Sequence, residues 1–178
     1  SVTFQKIIDH SLYFSFSSDS FDLYVLDLNN PENIKVIKNE IGFLTNFWKS
    51  LYNDIFIFAI EMDMNIEYGF VIIEENRLIR IDEEIGKVLD CNGEVLVEQN
   101  KRGFISMKNQ TSSIFEKKIS LSKKESIYSA FILNNNSIII GIVKETNDII
   151  GNFLFEPTGS NKGKLKHYRY IKLIYENN

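Results

Sequence analysis

Cysteine and proline are scarce in this chain of 178 residues, which contains one Cys and two Pro. A single cysteine excludes a network of internal disulfides, so the fold must depend on its apolar core. The longest apolar run covers only residues 55–60, which is too short to cross a membrane. The first residues also lack the basic and apolar segments of a signal peptide. We therefore expect a cytoplasmic protein with no membrane partner, and the alternative is a mature secreted form whose leader has been removed.

Sequence motifs for catalysis and cofactor binding are missing as well. The chain contains no Walker loop, dinucleotide-binding fingerprint, zinc-ligand spacing or zincin motif. Its two histidines, His10 and His167, lie near opposite ends of the chain. A ribonuclease that uses both histidines would therefore need a fold that brings them close together in space. Cys91 follows Asp90, whose charge disfavours the thiolate that a nucleophile requires. We expect a protein that is not an enzyme and needs no cofactor or metal, with the ribonuclease as the last alternative.

Apolar and aromatic side chains are plentiful. Hydrophobic residues make up 44% of the chain, which contains 14 Phe and 8 Tyr. Aromatic and β-branched residues favour strands, and a chain of this length can bury a substantial core. No linker and no repeat of fixed period is apparent, which predicts a single domain over residues 1–178.

The clearest periodic pattern predicts an amphipathic helix over about residues 31–52. Asn30 is a favourable N-cap, and Pro31 suits the first helical position. The apolar residues that follow are separated by steps of three and four, which places them on one side of a helix. These residues are Ile34, Ile37, Ile41, Leu44, Trp48 and Leu51. A shorter amphipathic helix is expected over residues 3–11.

Short apolar segments between turn-forming residues predict strands along most of the remaining chain. The predicted strands are residues 12–16, 21–28, 55–61, 66–74, 77–81, 87–89, 94–97, 103–107, 114–121, 137–143, 149–155 and 165–175. Ser122 and Glu125 match a capping box that would begin a helix over residues 123–133, but we favour a strand over residues 127–133. The predicted fold class is α+β, with an antiparallel-rich sheet and one dominant helix packed on it.

Charge is sorted by position along the chain. Residues 1–100 contain 18 acidic and 7 basic side chains, a net charge of −11. Residues 101–178 contain 6 acidic and 13 basic side chains, a net charge of +7. Such a division of charge indicates that the protein selects its binding partner by electrostatic attraction, and it does not indicate a particular fold.

An acidic segment in the first half suggests a surface for a basic protein partner. It is densest at residues 82–84, and a solvated acidic face is the plainer interpretation. The residues predicted to contact the partner are Asp63, Glu67, Glu74, Glu75, Asp82, Glu83 and Glu84.

The last predicted strand is basic and aromatic, which suggests a platform for single-stranded nucleic acid. Tyrosines that alternate with lysines on one face of a strand can stack bases and neutralise phosphates. The candidate residues are Lys164, Lys166, Tyr168, Arg169, Tyr170 and Lys172. The competing interpretation is an edge strand that its lysines protect from aggregation.

The profile of the whole chain resembles bacterial immunity proteins that neutralise polymorphic toxins, such as those of contact-dependent growth inhibition. The resemblance lies in a small domain without catalytic motifs, a composition typical of AT-rich coding DNA, and the acidic stretch at residues 82–84. It implies a cytoplasmic inhibitor that binds a cognate toxin, with its acidic surface in the basic cleft of a nuclease. The basic second half departs from what a nucleic-acid mimic would need.

Overall fold

The computed structural model describes residues 2–16, 21–63, 65–83, 85–100, 102–149 and 164–175. Within these ranges the chain forms fifteen strands and no helix. The described residues accordingly hold no helix that could cross a membrane.

The strands form four antiparallel sheets, each built from strands that are consecutive in sequence and hydrogen-bonded in sequence order. We call these sheets blades 1 to 4. Blade 1 contains β1 (Val2–Ile8), β2 (Ser11–Phe16), β3 (Leu23–Asp27) and β4 (Ile34–Ile37). Blade 2 contains β5 (Phe43–Lys49), β6 (Ile55–Met62), β7 (Asn65–Glu74) and β8 (Arg77–Ile81). Blade 3 contains β9 (Lys87–Cys91), β10 (Leu96–Gln99), β11 (Phe104–Lys108) and β12 (Ser113–Lys118), and blade 4 contains β13 (Glu125–Asn134), β14 (Ser137–Ile149) and β15 (Lys164–Ile174).

The first strand of each blade lies at the centre of the molecule. β1 contacts β5, β5 contacts β9, and β9 contacts β13. Successive blades therefore pack face to face around a common axis, which is the arrangement of neighbouring blades in a β-propeller. These inner strands begin about every 40 residues, a structural repeat that the sequence analysis missed.

The core is divided into three apolar clusters, one between each pair of neighbouring blades. Each blade contributes side chains from alternate positions of its strands, so blades 2 and 3 bury both faces. Fully buried members include Leu23, Phe47 and Phe58 between blades 1 and 2, Ile57 between blades 2 and 3, and Val97, Met107 and Ile140 between blades 3 and 4.

The predicted α+β fold class is wrong, because the described residues form an all-β structure. Residues 31–52, where the dominant helix was expected, instead contain β4 and β5. Gly42 lies between these strands with a φ of 140°, a backbone conformation that favours glycine.

The helical spacing in this segment arises because β5 is buried on both faces and contains a bulge. Leu44 and Phe47 pack towards blade 1, whereas Trp48 packs towards blade 3. The register shifts between Leu44 and Asn46, so two residues three positions apart share a face. In a strand with two apolar faces, apolar and polar residues no longer alternate with a period of two. The apolar residues here are instead separated by steps of three and four, the spacing that is typical of a helix.

Residues 127–133 form the strand that the sequence analysis favoured over a helix, within β13. The carboxylate of Glu125 does accept a hydrogen bond from the backbone N–H of Ser122, at 2.7 Å, as in a capping box. However, Lys124 has a φ of 70°, and the chain continues as a strand. The sequence match to a capping box therefore does not begin a helix here.

The remaining strand predictions are confirmed over β2, β3, β6 to β12, β14 and β15, with ends that differ by a few residues. The helix expected over residues 3–11 is wrong, because β1 occupies this segment. Of the strand predicted over residues 149–155, only Ile149 is described, and it ends β14.

Candidate functional site

Blade 4 exposes an apolar face. Ile138, Ile140 and Ile142 on β14 pack against blade 3, and the side chains on the opposite face of the sheet point away from it. The six most exposed apolar or aromatic members of this outer face are between 39% and 61% exposed. The blade 4 end face consists of Tyr128, Phe131, Leu133, Ile139, Tyr168, Tyr170, Lys172 and Ile174.

Three tyrosines form an organised cluster on the blade 4 end face. The ring of Tyr128 meets that of Tyr168 edge-on, with centroids 5.4 Å apart, and its hydroxyl donates to the hydroxyl of Tyr170 at 3.0 Å. This hydrogen bond raises the pKa of Tyr170 above its ordinary value. A Cβ at Gly141 would lie 2.7 Å from the Tyr128 ring, so glycine allows that ring to lie against β14. The cluster is thus positioned before any partner binds.

Blade 1 exposes a second apolar face, on the side away from blade 2. Tyr13 and Val25 point towards blade 2, and their sequence neighbours point outwards. Phe14 and Tyr24 stack on this outer side with centroids 5.5 Å apart, and Phe16 meets both rings edge-on. The blade 1 end face consists of Ile7, Leu12, Phe14, Phe16, Tyr24, Leu26, Ile34 and Val36.

Polar bonds near the axis fix the orientation of blade 4 relative to blade 3. The carboxylate of Asp90 on β9 accepts a hydrogen bond of 3.1 Å from the backbone N–H of Ile132 on β13. The ammonium of Lys87 on β9 donates to the carbonyl of Ile127 on β13 at 2.6 Å, and burial lowers the pKa of this lysine. The ammonium of Lys6 on β1 lies 3.7 Å from Asp90, so the same carboxylate also contacts blade 1.

The predicted acidic site lies on blade 2, but its residues do not form one patch. Glu74 and Glu75 lie at the turn between β7 and β8, whereas Asp63 precedes the other end of β7, roughly 30 Å away for a strand of this length. Glu67 forms an ion pair with Arg80.

The densest part of that predicted site lies in the connection from β8 to β9. Asp82 and Glu83 follow β8 there and are exposed, at the same end of the blade as Asp63. Glu84 lies outside the described residues.

The predicted nucleic-acid platform is divided between two faces of β15. Tyr168, Tyr170 and Lys172 lie exposed on the blade 4 end face. Arg169 lies on the opposite face, where its guanidinium binds both oxygens of Glu125, at 2.8 and 2.9 Å. The side chains of Lys164 and Lys166 lie outside the described part of the chain.

Sequence reasoning missed a basic rim on blade 3 and on the connection to blade 4. Register places the end of β12 beside the turn between β10 and β11, because Phe104 pairs with Lys118. The ammonium of Lys118 lies 5.8 Å from the centroid of the Phe104 ring. The exposed members of the rim are Arg102, Lys117, Lys118, Lys123 and Lys124. Two Lys-Lys pairs in the sequence were the available signal for this rim.

The candidate catalytic groups are not brought together. His10 is exposed in the turn between β1 and β2, whereas His167 pairs with Lys144 in blade 4, at the opposite end of the strands. Cys91 is buried, and desolvation raises the pKa of its thiol to about 11. This thiol therefore stays protonated near neutral pH and is a poor nucleophile.

Comparison with known proteins informs the fold alone. No family model matches the chain, and no curated protein matches it. The N-terminal domain of Nup159 is similar in structure, with a TM-score of 0.56 and 14% identity, over 98% of this chain and 45% of that one. The β-propeller domain of Cps50 (Swd1) from Myceliophteria thermophila gives a TM-score of 0.50 and 11% identity, over 94% of this chain and 59% of that one. The chain thus spans about half the length of these two similar structures.

Proposed function

We propose that this chain is a non-catalytic protein-interaction module that binds a protein partner through the blade 4 end face. The observation that carries the proposal is the exposure of Phe131, Tyr168, Tyr170 and Ile174, each more than half exposed, on one face. Contiguous apolar surfaces of this kind are uncommon on proteins that act alone, and they typically mark interfaces. Aromatic residues are enriched at the centre of such interfaces.

The organisation of the tyrosine cluster supports binding at a low entropic cost. The Tyr128 ring is held by Tyr168, Tyr170 and the backbone at Gly141, and Asp90 and Lys87 orient the blade beneath it. Side chains that are ordered before association lose less conformational entropy when the partner arrives.

Site-specific photocrosslinking tests the proposal. A photoreactive phenylalanine analogue is placed at Phe131, on the blade 4 end face, or at Ile66, an apolar residue of blade 2 that is 45% exposed. We expect a discrete protein adduct from position 131 in the native cell extract, and none from position 66. Absence of a protein adduct at position 131, or equal crosslinking at both positions, contradicts the proposal.

Single-stranded nucleic acid is a second candidate ligand for the same face. Tyr168, Tyr170 and Lys172 alternate on the exposed side of β15, as a stacking platform requires. Among the residues whose side chains the structure describes, Lys172 is the single basic member of the blade 4 end face. Phosphate binding needs several cations, so we favour a protein as the ligand. Binding of a single-stranded oligonucleotide that weakens steeply with salt, and is lost in Tyr170→Ala, would favour the second candidate.

A basic toxin is the narrower hypothesis for the partner, and it makes a separate prediction. Asp82 and Glu83 are exposed beside each other, so reversal of both to Lys places two positive charges on the surface that would face a basic protein. We expect a lower association rate, measured by stopped-flow or surface plasmon resonance, and a smaller effect at high salt. An unchanged association rate at low salt would exclude this surface from toxin binding.

A further inference from the structure

We infer that a cavity between blades 2 and 3 binds an arginine side chain of a protein partner. This cavity, which we call the blade 2–3 cavity, has a volume of about 220 Å³ and is lined by both blades and by the connection between them. Sites for whole small molecules usually measure about 300–1,000 Å³, so the blade 2–3 cavity suits a single side chain that projects from a larger molecule. The inference adds a second site and does not depend on the blade 4 end face.

Much of the wall of the blade 2–3 cavity is apolar and is held in place by the core. Ile57 on β6 and Leu96 on β10 line the cavity and are buried members of the apolar cluster between blades 2 and 3. Phe70 on β7 packs against this cluster, and Leu51, in the turn between β5 and β6, belongs to it. The methylene groups of a long cationic side chain would be removed from water against these residues while the charged head binds elsewhere.

An aromatic residue lines the cavity on its solvent side. Tyr52 follows Leu51 in the turn between β5 and β6, and it is 44% exposed. The buried hydroxyl of Ser50 accepts a hydrogen bond of 3.0 Å from the backbone N–H of Tyr52 and donates one of 3.1 Å to its carbonyl, which fixes the turn. Guanidinium groups stack on aromatic rings and are less strongly hydrated than ammonium groups. The aromatic wall therefore favours arginine over lysine.

A largely buried carboxylate gives the cavity an acceptor for a cation. The side chain of Glu98 on β10 lines the cavity and is 17% exposed. Its Oε1 accepts hydrogen bonds from the ammonium of Lys108 at 2.8 Å and from the hydroxyl of Ser106 at 3.4 Å. Its Oε2 has no hydrogen-bond partner among the described residues, and it lies 3.7 Å from where a Cβ at Gly86 would be. Oε2 is therefore available to a donor that enters the cavity.

The charges of the lining favour a cation over an anion. The cavity is lined by two carboxylates, those of Glu83 and Glu98, and by one ammonium, that of Lys108. Lys108 is paired with Glu98, whereas Glu83 is exposed and forms no ion pair within the part of the chain that the structure describes. A bound arginine would balance the remaining negative charge, and the several N–H donors of its planar guanidinium match carboxylate oxygens.

A titration followed by methyl NMR tests the inference on the intact chain. The probe is N-acetyl-arginine N-methylamide, and N-acetyl-citrulline N-methylamide is the uncharged control of nearly the same shape. We expect the arginine compound to shift the methyl signals of Ile57 and Ile85, which line the cavity, and to saturate in the millimolar range that is usual for a ligand of this size. The signal of Ile140, buried between blades 3 and 4, should not move.

Two variants of one ion pair should change the affinity in opposite directions. Glu98→Gln removes the acceptor charge and should weaken binding of the arginine compound by roughly tenfold. Lys108→Gln removes the competing ammonium and should tighten binding several-fold. Glu94→Gln, on the side of blade 3 that faces blade 4, is the matched control and should leave the affinity unchanged. Damage to the cavity would weaken binding in both variants, so the opposite signs identify an effect of charge.

Several results would overturn the inference. These are the absence of saturable shifts, equal binding of the citrulline compound, no effect of Glu98→Gln, and weaker binding in both variants of the ion pair. Tighter binding of hexanoate would instead identify an anion site at Lys108, and tighter binding of free arginine would identify a metabolite rather than a side chain of a protein. Any of these results leaves the proposal for the blade 4 end face intact, because crosslinking at position 131 tests a different surface.

Discussion

At the scale of single residues, glycine allows an aromatic ring to lie against the backbone in blade 2. Gly69 on β7 is paired with Phe58 on β6, and a Cβ at Gly69 would lie 2.7 Å from the Phe58 ring. The guanidinium of Arg80 lies 5.6 Å from the centroid of the same ring. Because Phe58 is fully buried, this ring has little freedom to move away from an added methyl group.

Gly69→Ala is therefore expected to destabilise the protein by roughly 1–3 kcal/mol, the usual cost of overpacking a core. Urea-induced unfolding measures the change in the free energy of unfolding. In the double variant Gly69→Ala/Phe58→Leu the clash is removed, so the two effects should not add. Additive effects would contradict the contact between this ring and the glycine backbone.

The burial of Cys91 predicts a thiol that is unreactive while the protein is folded. Desolvation is the main reason that its pKa is raised to about 11, so the thiolate is scarce at neutral pH. We expect slow labelling with iodoacetamide in the native state and fast labelling in urea. Labelling at equal rates in both conditions would contradict this environment.

At the scale of secondary-structure elements, an ion pair ties the start of β13 to β15. The carboxylate of Glu125 accepts two hydrogen bonds from Arg169 and one from the backbone N–H of Ser122. The bonds from Arg169 are the main cause, and the Ser122 N–H the next, of a Glu125 pKa that is lowered to about 2. These contacts join the connection before β13 to the strand that carries Tyr168 and Tyr170.

This low pKa predicts a specific dependence of stability on pH. A carboxyl whose pKa is lower in the folded state stabilises the protein above its unfolded pKa, near 4.5, and this contribution is lost as the pH falls towards about 2. Glu125→Gln should therefore be less stable than the unmodified protein at pH 7, and the difference should shrink on acidification. Thermal melts at several pH values measure the difference, and a gap that stays constant down to pH 2 would contradict the ion pair.

At the scale of the whole molecule, stability is distributed over interfaces between neighbouring blades. Met107 is fully buried between blades 3 and 4, and Phe58 is fully buried between blades 1 and 2. In arrays where repeats contact mainly their neighbours, a local defect weakens the nearest units most.

Met107→Ala is expected to lower the free energy of unfolding by roughly 2–5 kcal/mol. Hydrogen exchange monitored by mass spectrometry should accelerate more in β9 to β15 than in β1 to β4. Phe58→Ala serves as the matched comparison and should show the reverse distribution. An identical, uniform acceleration in both variants would indicate that the four blades unfold as one cooperative unit.

Sequence patterns located most strands but not the blades. Hairpins such as β7 and β8 were predictable because the turn at residues 75–76 and its flanking apolar residues are neighbours in sequence. The false helix over residues 31–52 shows the limit, since Leu44 and Trp48 serve opposite faces of β5. Patterns within a segment do not reveal that the strand is covered on both sides.

The candidate site was predictable only in part, for a related reason. Alternation along residues 165–175 placed Tyr168 and Tyr170 on one face, as the structure does, but the predicted platform also included Arg169, which lies on the opposite face. It could not reveal that Tyr128 and Phe131, about 40 residues earlier, share the face of those tyrosines. That face exists because β13 and β15 both pair with β14, which is a fact of topology.

The sequence by itself determined the local features of this protein: where strands and turns occur, which side chains alternate, and how charge is divided between the halves of the chain. These features follow from propensities and periodicities that act over a few residues. The tertiary structure decided that the strands form four blades, that the acidic residues of blade 2 are dispersed, and that blades 1 and 4 each leave one apolar face exposed. Such outcomes depend on contacts between blades whose residues are about 40 positions apart in sequence. Where a sheet is buried on both faces, its strands also lose the alternation of apolar and polar residues by which a sequence reveals a strand.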